Sequence, residues 1–321
     1  MYSIAKIFAV LIGISATGVS TAPRLDPDLK PYAPSGSAVS GKIKIVGSDT
    51  MLNLSTFWGS EFRRFYPGVQ VEVEGKGSST APPALIDNQA QFGPMSRSMA
   101  PSEIDEFDER RGFEPTELRV AIDCVAMFVH RDNPIESLSL DQVEEAFSVA
   151  GGGDLTWGDL GVSDPAWARK RVSLYGRNSA SGTYKYFKTY ALADQDYRKT
   201  VKEQPGSAGV VNAISTDRYG LGYSGVGYRT PDVKTIGLSF GPGEPIAQPT
   251  QEGALSGDYP LARFLYMYVG HDPREEIDPL RREFVRLMYS RQGQEQVLKD
   301  GAYPVPAEVA IEDMAKLGIR P

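Results

Sequence analysis

One cysteine and two histidines are all that 321 residues contain of these types. Cys124 alone cannot close an internal disulfide, and it lies in the apolar run AIDCVAMFV, where a thiol is expected to be buried and inert. It is also remote from the N-terminus, so no cysteine is placed to accept a lipid anchor. His130 and His271 stand alone, each beside a strand-like run, and no His, Asp and Glu share the spacing of a metal site. The sequence therefore predicts neither a metal nor another cofactor. A basic block is missing too, and the formal charge is −7, which argues against a nucleic-acid partner.

Long apolar runs are equally scarce. The uncharged stretch from Ile7 to Ala22 is shorter than the roughly 20 residues a bilayer span needs, and it contains Ser, Thr and Gly. With Lys6 before it and the small residues Ser20-Thr21-Ala22 at its end, residues 1–22 read as a cleaved export signal. Its removal leaves 33 basic against 41 acidic side chains, a formal charge of −8. An anionic ligand would then have to be held by local geometry.

What is present is an ordinary globular composition, 41% hydrophobic, enough for about two domains. Residues 23–40 are rich in Pro, Ser and Gly without apolar periodicity and read as a disordered leader. From Gly41 a pattern recurs. KIKIV alternates as a strand and runs through GSDT into a helical stretch with Leu54, Phe57, Trp58, Phe62 and Phe65 apolar, ended by Pro67-Gly68. VQVEVEGK alternates and meets GSSTAPPALI, a turn opening a helix whose first turn tolerates Pro82 and Pro83. QFGPMSRSM ends a third strand before a helix that Ser102 could cap, with Asp105 or Glu106 in its first turn. RVSLYGRNSASGTYKYFKTYAL is the fourth instance.

Four times a strand ends in Gly, Ser, Thr or Arg where a helix begins. Alternating strands and helices build parallel α/β sheets that bind ligands at the carboxyl ends of their strands. Helix N-termini there present free amides and a positive dipole end, hydroxyls add donors, and glycine admits close approach. One such Ser, Thr or Asp is usually only a cap, and one Gly only a turn residue. Four copies, one carrying Arg177 with its bidentate fork, point to a shared oxyanion site. The charged segments SEIDEFDERRGFE and DPLRREFVRLMYSRQGQEQVLKDG read as solvated helices, with Phe107, Leu280, Phe284, Leu287 and Val297 on their apolar faces. GGGD at 151–154 lacks the lysine and strand context of a phosphate-cradling loop.

In this order the motifs KIKIVGSDT, GSSTAPPAL, FGPMSR, AIDCVAMFVHRDNPI, WGDLG, YGRNSASGTY, EQPGSAGVV, GYSGVGY and YPLARFLYMYV resemble the PstS family, the periplasmic phosphate-binding proteins of bacterial ABC-type phosphate importers. The resemblance runs over almost the whole chain after the signal. It implies an α/β, two-lobed periplasmic binding protein fold of type II kind, holding inorganic phosphate in the cleft between lobes. With AIDCVAMFV and PLARFLYMYV as crossings, it implies lobe 1 over 41–124 and 258–321 and lobe 2 over 125–257. It further implies a monomeric, non-enzymatic receptor in the periplasm that delivers phosphate to a membrane permease.

Carried over by motif, Thr50 and the amide of Met51 would contact phosphate from the first loop, and Ser78 from the second. Ser96 would contact it from the third, and Arg177, Ser181, Gly182 and Thr183 from the fourth. Arg97 departs from the pattern: many family members place an aspartate after that serine, where it accepts the proton of hydrogen phosphate. A buried acceptor rejects sulfate, which has no proton to give, at a cost of about 1 to 3 kcal/mol. If Arg97 takes that place in the site, Asp123 or Asp49 must accept the proton, and Asp123 is preferred because Asp49 already suits a helix cap. The alternatives that stay open are a receptor for a sulfate-like oxyanion and a secreted phosphatase or serine hydrolase acting through Ser181 or Ser78. The latter would need a base near its nucleophile, and both histidines lie outside these loops.

Overall fold

The structure is a computed structural model that describes residues 22–36 and 39–320. Apart from Ala22, the expected export signal lies outside the described residues. The chain forms two compact units. The flanking unit comprises Arg24–Ile122, Ala180–Gly182 and Phe264–Pro321, and the middle unit is built on Asp123–Ser179 and Thr183–Arg263.

In the flanking unit, β1 (Gly41–Gly47) leads to α1 (Leu52–Phe65), β2 (Val69–Gly75), α2 (Ala81–Ile86), β3 (Phe92–Met95) and α3 (Pro101–Arg111). Strand β1 runs parallel to β2, with Gly41 opposite Val69 and Gly47 opposite Gly75, and parallel to β3, with Ile45 opposite Phe92. Its Ile43 and Ile45 are buried on one face. Helix α1 packs by the spacing of Leu54, Trp58 and Phe62, all buried, each apolar side chain contributing about 1.5–3 kcal/mol. Phe57 and Phe65, at the margin of that stripe, are only partly covered, by Lys299 over the Phe57 ring at 4.3 Å and by the Tyr32 ring against Phe65 at 4.8 Å.

Helix α3 begins two residues earlier than a Ser102 cap would place it. Pro101 opens it, where a missing N–H costs nothing, Ala100 is the N-cap, and the Glu103 carboxylate accepts the Ala100 amide at 2.8 Å. The leader also differs from a disordered segment. Residues 24–35 contain no helix or strand, yet Leu29 and Tyr32 are buried, the Arg291 amide donates to Lys30 O at 2.8 Å and the Ala307 amide to Asp26 at 2.9 Å. Two isolated anchors among prolines leave no periodicity to detect.

Strand β4 (Thr116–His130) carries the chain from one unit into the other. The middle unit then contains β5 (Ser137–Ser139), α4 (Leu140–Phe147), α5 (Pro165–Ala168), β6 (Ser173–Arg177), most of α6 (Gly182–Ala191), β7 (Lys202–Gln204), α7 (Gly206–Thr216), β8 (Gly220–Gly225), β9 (Val233–Ser239) and α8 (Gln251–Ser256). Strand β8 lies between β4, antiparallel to it, and β6, parallel to it; β7 adds parallel to β6. On the other side β9 pairs antiparallel with β4 and parallel with β5. Phe187 stacks on Tyr223 with ring centroids 3.8 Å apart, backed edge-on by Phe147.

Strand β10 (Ala262–Val269) returns to the flanking unit, where Tyr266–Val269 run antiparallel to β3, and α9 (Pro279–Met288), α10 (Arg291–Asp300) and α11 (Ala307–Lys316) complete it. Phe284, Leu287 and Val297 are buried while Leu280 is half-buried. Among the described residues no helix is long and apolar enough to cross a membrane.

Candidate anion-binding site

All four strand-to-helix junctions read from the sequence are present: β1 to α1, β2 to α2 through a short 3-10 turn at Ser78–Thr80, β3 to α3, and β6 to α6. In the flanking unit three of them converge on hydroxyls. Ser48, Ser78 and Ser96 are each almost completely buried. The Ser96 amide donates to Ser78 Oγ at 3.0 Å, and the Ser48 and Ser96 hydroxyls share a short hydrogen bond. The segment Ala180–Gly182 joins the same group: Ala180 O accepts the Ser79 amide at 3.3 Å, and a Cβ added at Gly182 would collide with Ser78 Oγ. Thr50, Met51 and Ser181 are buried as well.

Met51, not Asp49, occupies the N-cap position of α1, and the Asp49 carboxylate accepts the neighbouring Thr50 amide at 3.0 Å. Arg97 is engaged within its own unit, donating through both terminal nitrogens to Glu103 at 2.7 Å and through Nη1 to Ser98 O at 2.9 Å. That bidentate pair joins the residue after Ser96 to the first turn of α3.

The middle unit supplies charge. Arg177 ends β6 with only 1% of its surface exposed; its Nη1 donates to Ser207 Oγ at 2.7 Å, and its amide donates to the Tyr223 hydroxyl at 3.3 Å. A pocket of about 410 Å³ opens beside it, lined by Arg177, Tyr184, Tyr197, Lys199 and Glu203 among others. Asp123 is buried in β4, where its Oδ2 accepts from Arg263 Nε at 3.1 Å and Nη2 at 2.8 Å, and its Oδ1 accepts the Val226 amide at 3.3 Å. Arg263 Nη2 also donates to Thr183 Oγ1 at 2.9 Å. Burial pushes the Asp123 carboxyl up from its ordinary range, while Arg263 and the Val226 and Cys124 amides pull against it and only partly offset it. Cys124 is fully buried, and burial raises its thiol well above its usual value.

The sequence reading therefore located the junctions but missed the residues that hold them in place. Ser48 was within reach, being one more hydroxyl in GSDT. Ser207, Glu103 and Arg263 carried no local signal, because each is defined by a partner distant in sequence or by a side-chain direction. Among the described residues no group of His, Cys, Asp or Glu is arranged to hold a metal.

These features define the protein as a two-unit α/β binding fold: residues 33–292 match the family described as the PBP superfamily domain. The phosphate-binding protein PstS of Pseudomonas aeruginosa is 46% identical over 315 residues, covering 97% of this chain and 96% of that protein. PstS of Bacillus subtilis is 26% identical, covering 82% of this chain and 80% of its own length. Among solved structures, an ABC-type phosphate transport receptor from Vibrio cholerae has the same fold, with a TM-score of 0.65, 19% identity, and coverage of 82% of this chain and 100% of that one. The chain belongs to the PBP superfamily and, within it, to the PstS family.

Proposed function

We propose that this protein binds one inorganic phosphate and delivers it to the membrane permease of an ABC-type importer. The observation that carries this reading is the 46% identity, over nearly the full length of both chains, with a protein named for binding phosphate. The chemistry of the junctions supports it. Thr50, the Met51 amide, Ser78, Ser96, Ser181 and the Gly182 amide are donors of the flanking unit, and Arg177 and Thr183 are donors of the middle unit. Neutral hydroxyls and amides suit an oxyanion because they stabilise charge without bringing further counter-ions, and the buried guanidinium of Arg177 adds a charge-assisted pair. Arg97 stays with Glu103 and contributes by fixing the β3–α3 loop.

The receptor reading is preferred to a secreted phosphatase because the relatives are named as binding proteins and not as enzymes. Exported with cleavage after Ala22, the protein acts as a periplasmic monomer without a lipid anchor. A phosphate's five heavy atoms, at a ceiling near 1.5 kcal/mol each, limit ordinary contacts to about 7–8 kcal/mol, roughly micromolar binding. Tighter binding requires charge-assisted bonds from preorganised, water-excluded donors. The test is calorimetry on anion-stripped protein with phosphate and then sulfate at fixed pH and salt. One phosphate per chain, displaced only by a large excess of sulfate, is the expected result, with Arg177→Met weakening it about 100-fold. Binding of neither anion would remove the assignment.

A further inference from the structure

Arg263 is the residue of the middle unit for which neither the motifs nor the junction pattern supplies a role. A cation this deeply buried is costly unless fully bonded, and this one is bonded on purpose-built geometry. Its side chain is 2% exposed and that of Asp123 3% exposed. Nε and Nη2 form a fork onto one carboxylate oxygen of Asp123, Nη2 also reaches Thr183 Oγ1, and the guanidinium lies over the Tyr186 ring, 5.1 Å from its centroid. Asp123 is correspondingly well engaged: beside the two Arg263 bonds its other oxygen accepts the Val226 amide. Three donors thus hold the carboxylate on both of its oxygens.

Two consequences follow for the beginning of α6. Thr183 accepts from Arg263, so its own O–H is turned away from that guanidinium, which presets the rotor as a donor in another direction. The Asp123–Arg263 pair is also neutral as a unit, so it fixes Thr183 without adding net charge. Lysine could not replace this arrangement, because a single ammonium lacks the planar fork that reaches a carboxylate and a hydroxyl together.

We propose that Arg263, anchored by Asp123, is a positioning residue that orients the Thr183 hydroxyl for the bound anion, and that Asp123 acts through Arg263 and is not the acceptor of the phosphate proton. The proposal rests on the phosphate reading above. It separates from the acceptor role in what it predicts for selectivity: an anchor affects every tetrahedral anion alike, whereas a proton acceptor affects only the anion that carries a proton.

The experiment is calorimetric titration of phosphate and sulfate into wild type, Arg263→Lys, Asp123→Asn, Thr183→Val and the Arg263→Lys/Thr183→Val double variant, with thermal melts confirming folding. Arg263→Lys and Asp123→Asn should each weaken both anions by the same factor, about 10- to 100-fold, leaving the phosphate-to-sulfate ratio unchanged. The double variant should be no weaker than the worse of its two single variants, since both act on one hydroxyl. Should Asp123→Asn leave too little folded protein, the neutral pair Asp123→Asn with Arg263→Gln takes its place, with the same equal loss expected. A loss confined to phosphate in Asp123→Asn would overturn the anchor role, and additive losses in the double variant would overturn action through Thr183. Wild type that binds phosphate while Arg263→Lys binds it equally well overturns this inference alone; wild type that binds no phosphate overturns the functional reading as well.

Discussion

At Gly182 the absence of a side chain is a packing requirement, because the nearest atom to any added Cβ is the hydroxyl of Ser78, itself tied to the Ser96 amide. Gly182→Ala must therefore push the β2–α2 turn away or shift the start of α6. Overpacking of this kind costs about 1–3 kcal/mol. Phosphate affinity measured by calorimetry should fall about 5- to 150-fold, and an unchanged affinity would show that Ser78 does not bind the anion in this geometry. Arg97 presents the opposite case. Its charge is matched by Glu103, so Arg97→Ala should lower the melting temperature through the loop and the α3 N-terminus while changing phosphate affinity less than about threefold. A large loss of affinity there would return Arg97 to the ligand.

On the scale of elements, the N-terminal segment behaves as a strap on the flanking unit. Tyr32 donates to the buried Glu283 carboxylate at 2.6 Å, Tyr66 donates to the same oxygen at 3.0 Å, and Arg286 pairs with Glu283 at 2.9 Å. Helices α1 and α9 and the strap thus meet at one acid. Tyr32→Phe keeps the ring against Phe65 but leaves the carboxylate one donor short, a loss of about 1–3 kcal/mol in chemical denaturation. No loss would mean that the strap is ornamental to stability. The β3–α3 junction shows the same principle at a shorter range, since Pro101 and Glu103 between them set a helix start that Ser102 alone would have placed later.

For the whole molecule, pH and ligand are the two variables that reach every unit. Burial would raise the Asp313 carboxyl, but bonds from Arg119 and Lys316 outweigh it and hold it below its usual value. Glu283 is likewise raised by burial and lowered further by Tyr32 and Arg286. Carboxyls depressed in the folded state stabilise it fully above their unfolded values, near 4, and lose that contribution as pH falls through the lower folded values. Asp313→Asn should therefore be less stable than wild type at pH 7 and show a shallower decline below about pH 4 in denaturation series. Parallel curves for the two proteins would exclude Asp313 from acid unfolding. Phosphate should add about 2.7 kcal/mol at a concentration 100 times its dissociation constant, read as a raised melting temperature that sulfate at equal concentration does not match.

Periodicity and punctuation are local properties, and for that reason the α/β class, the four strand-to-helix junctions and the short polar loops at their ends are all legible in the sequence. Alternation of Ile43 and Ile45, the stripe of Leu54, Trp58 and Phe62, and the stop at Pro67-Gly68 need only neighbours within a few residues. Order in residues 24–35, the pairing of Arg97 with Glu103 and the direction of the Asp123 carboxylate were not legible. Two of these depend on which side chain arrives from elsewhere in the chain, since Tyr32 reaches Glu283 251 residues away and Asp123 meets Arg263 140 residues away, while Arg97 and Glu103, six residues apart, depend on side-chain direction. The sequence by itself determined where donors gather at strand ends. Only the tertiary structure decided which charged groups are already satisfied by one another, because a charge's partner is set by chain packing and side-chain direction and not by residue order.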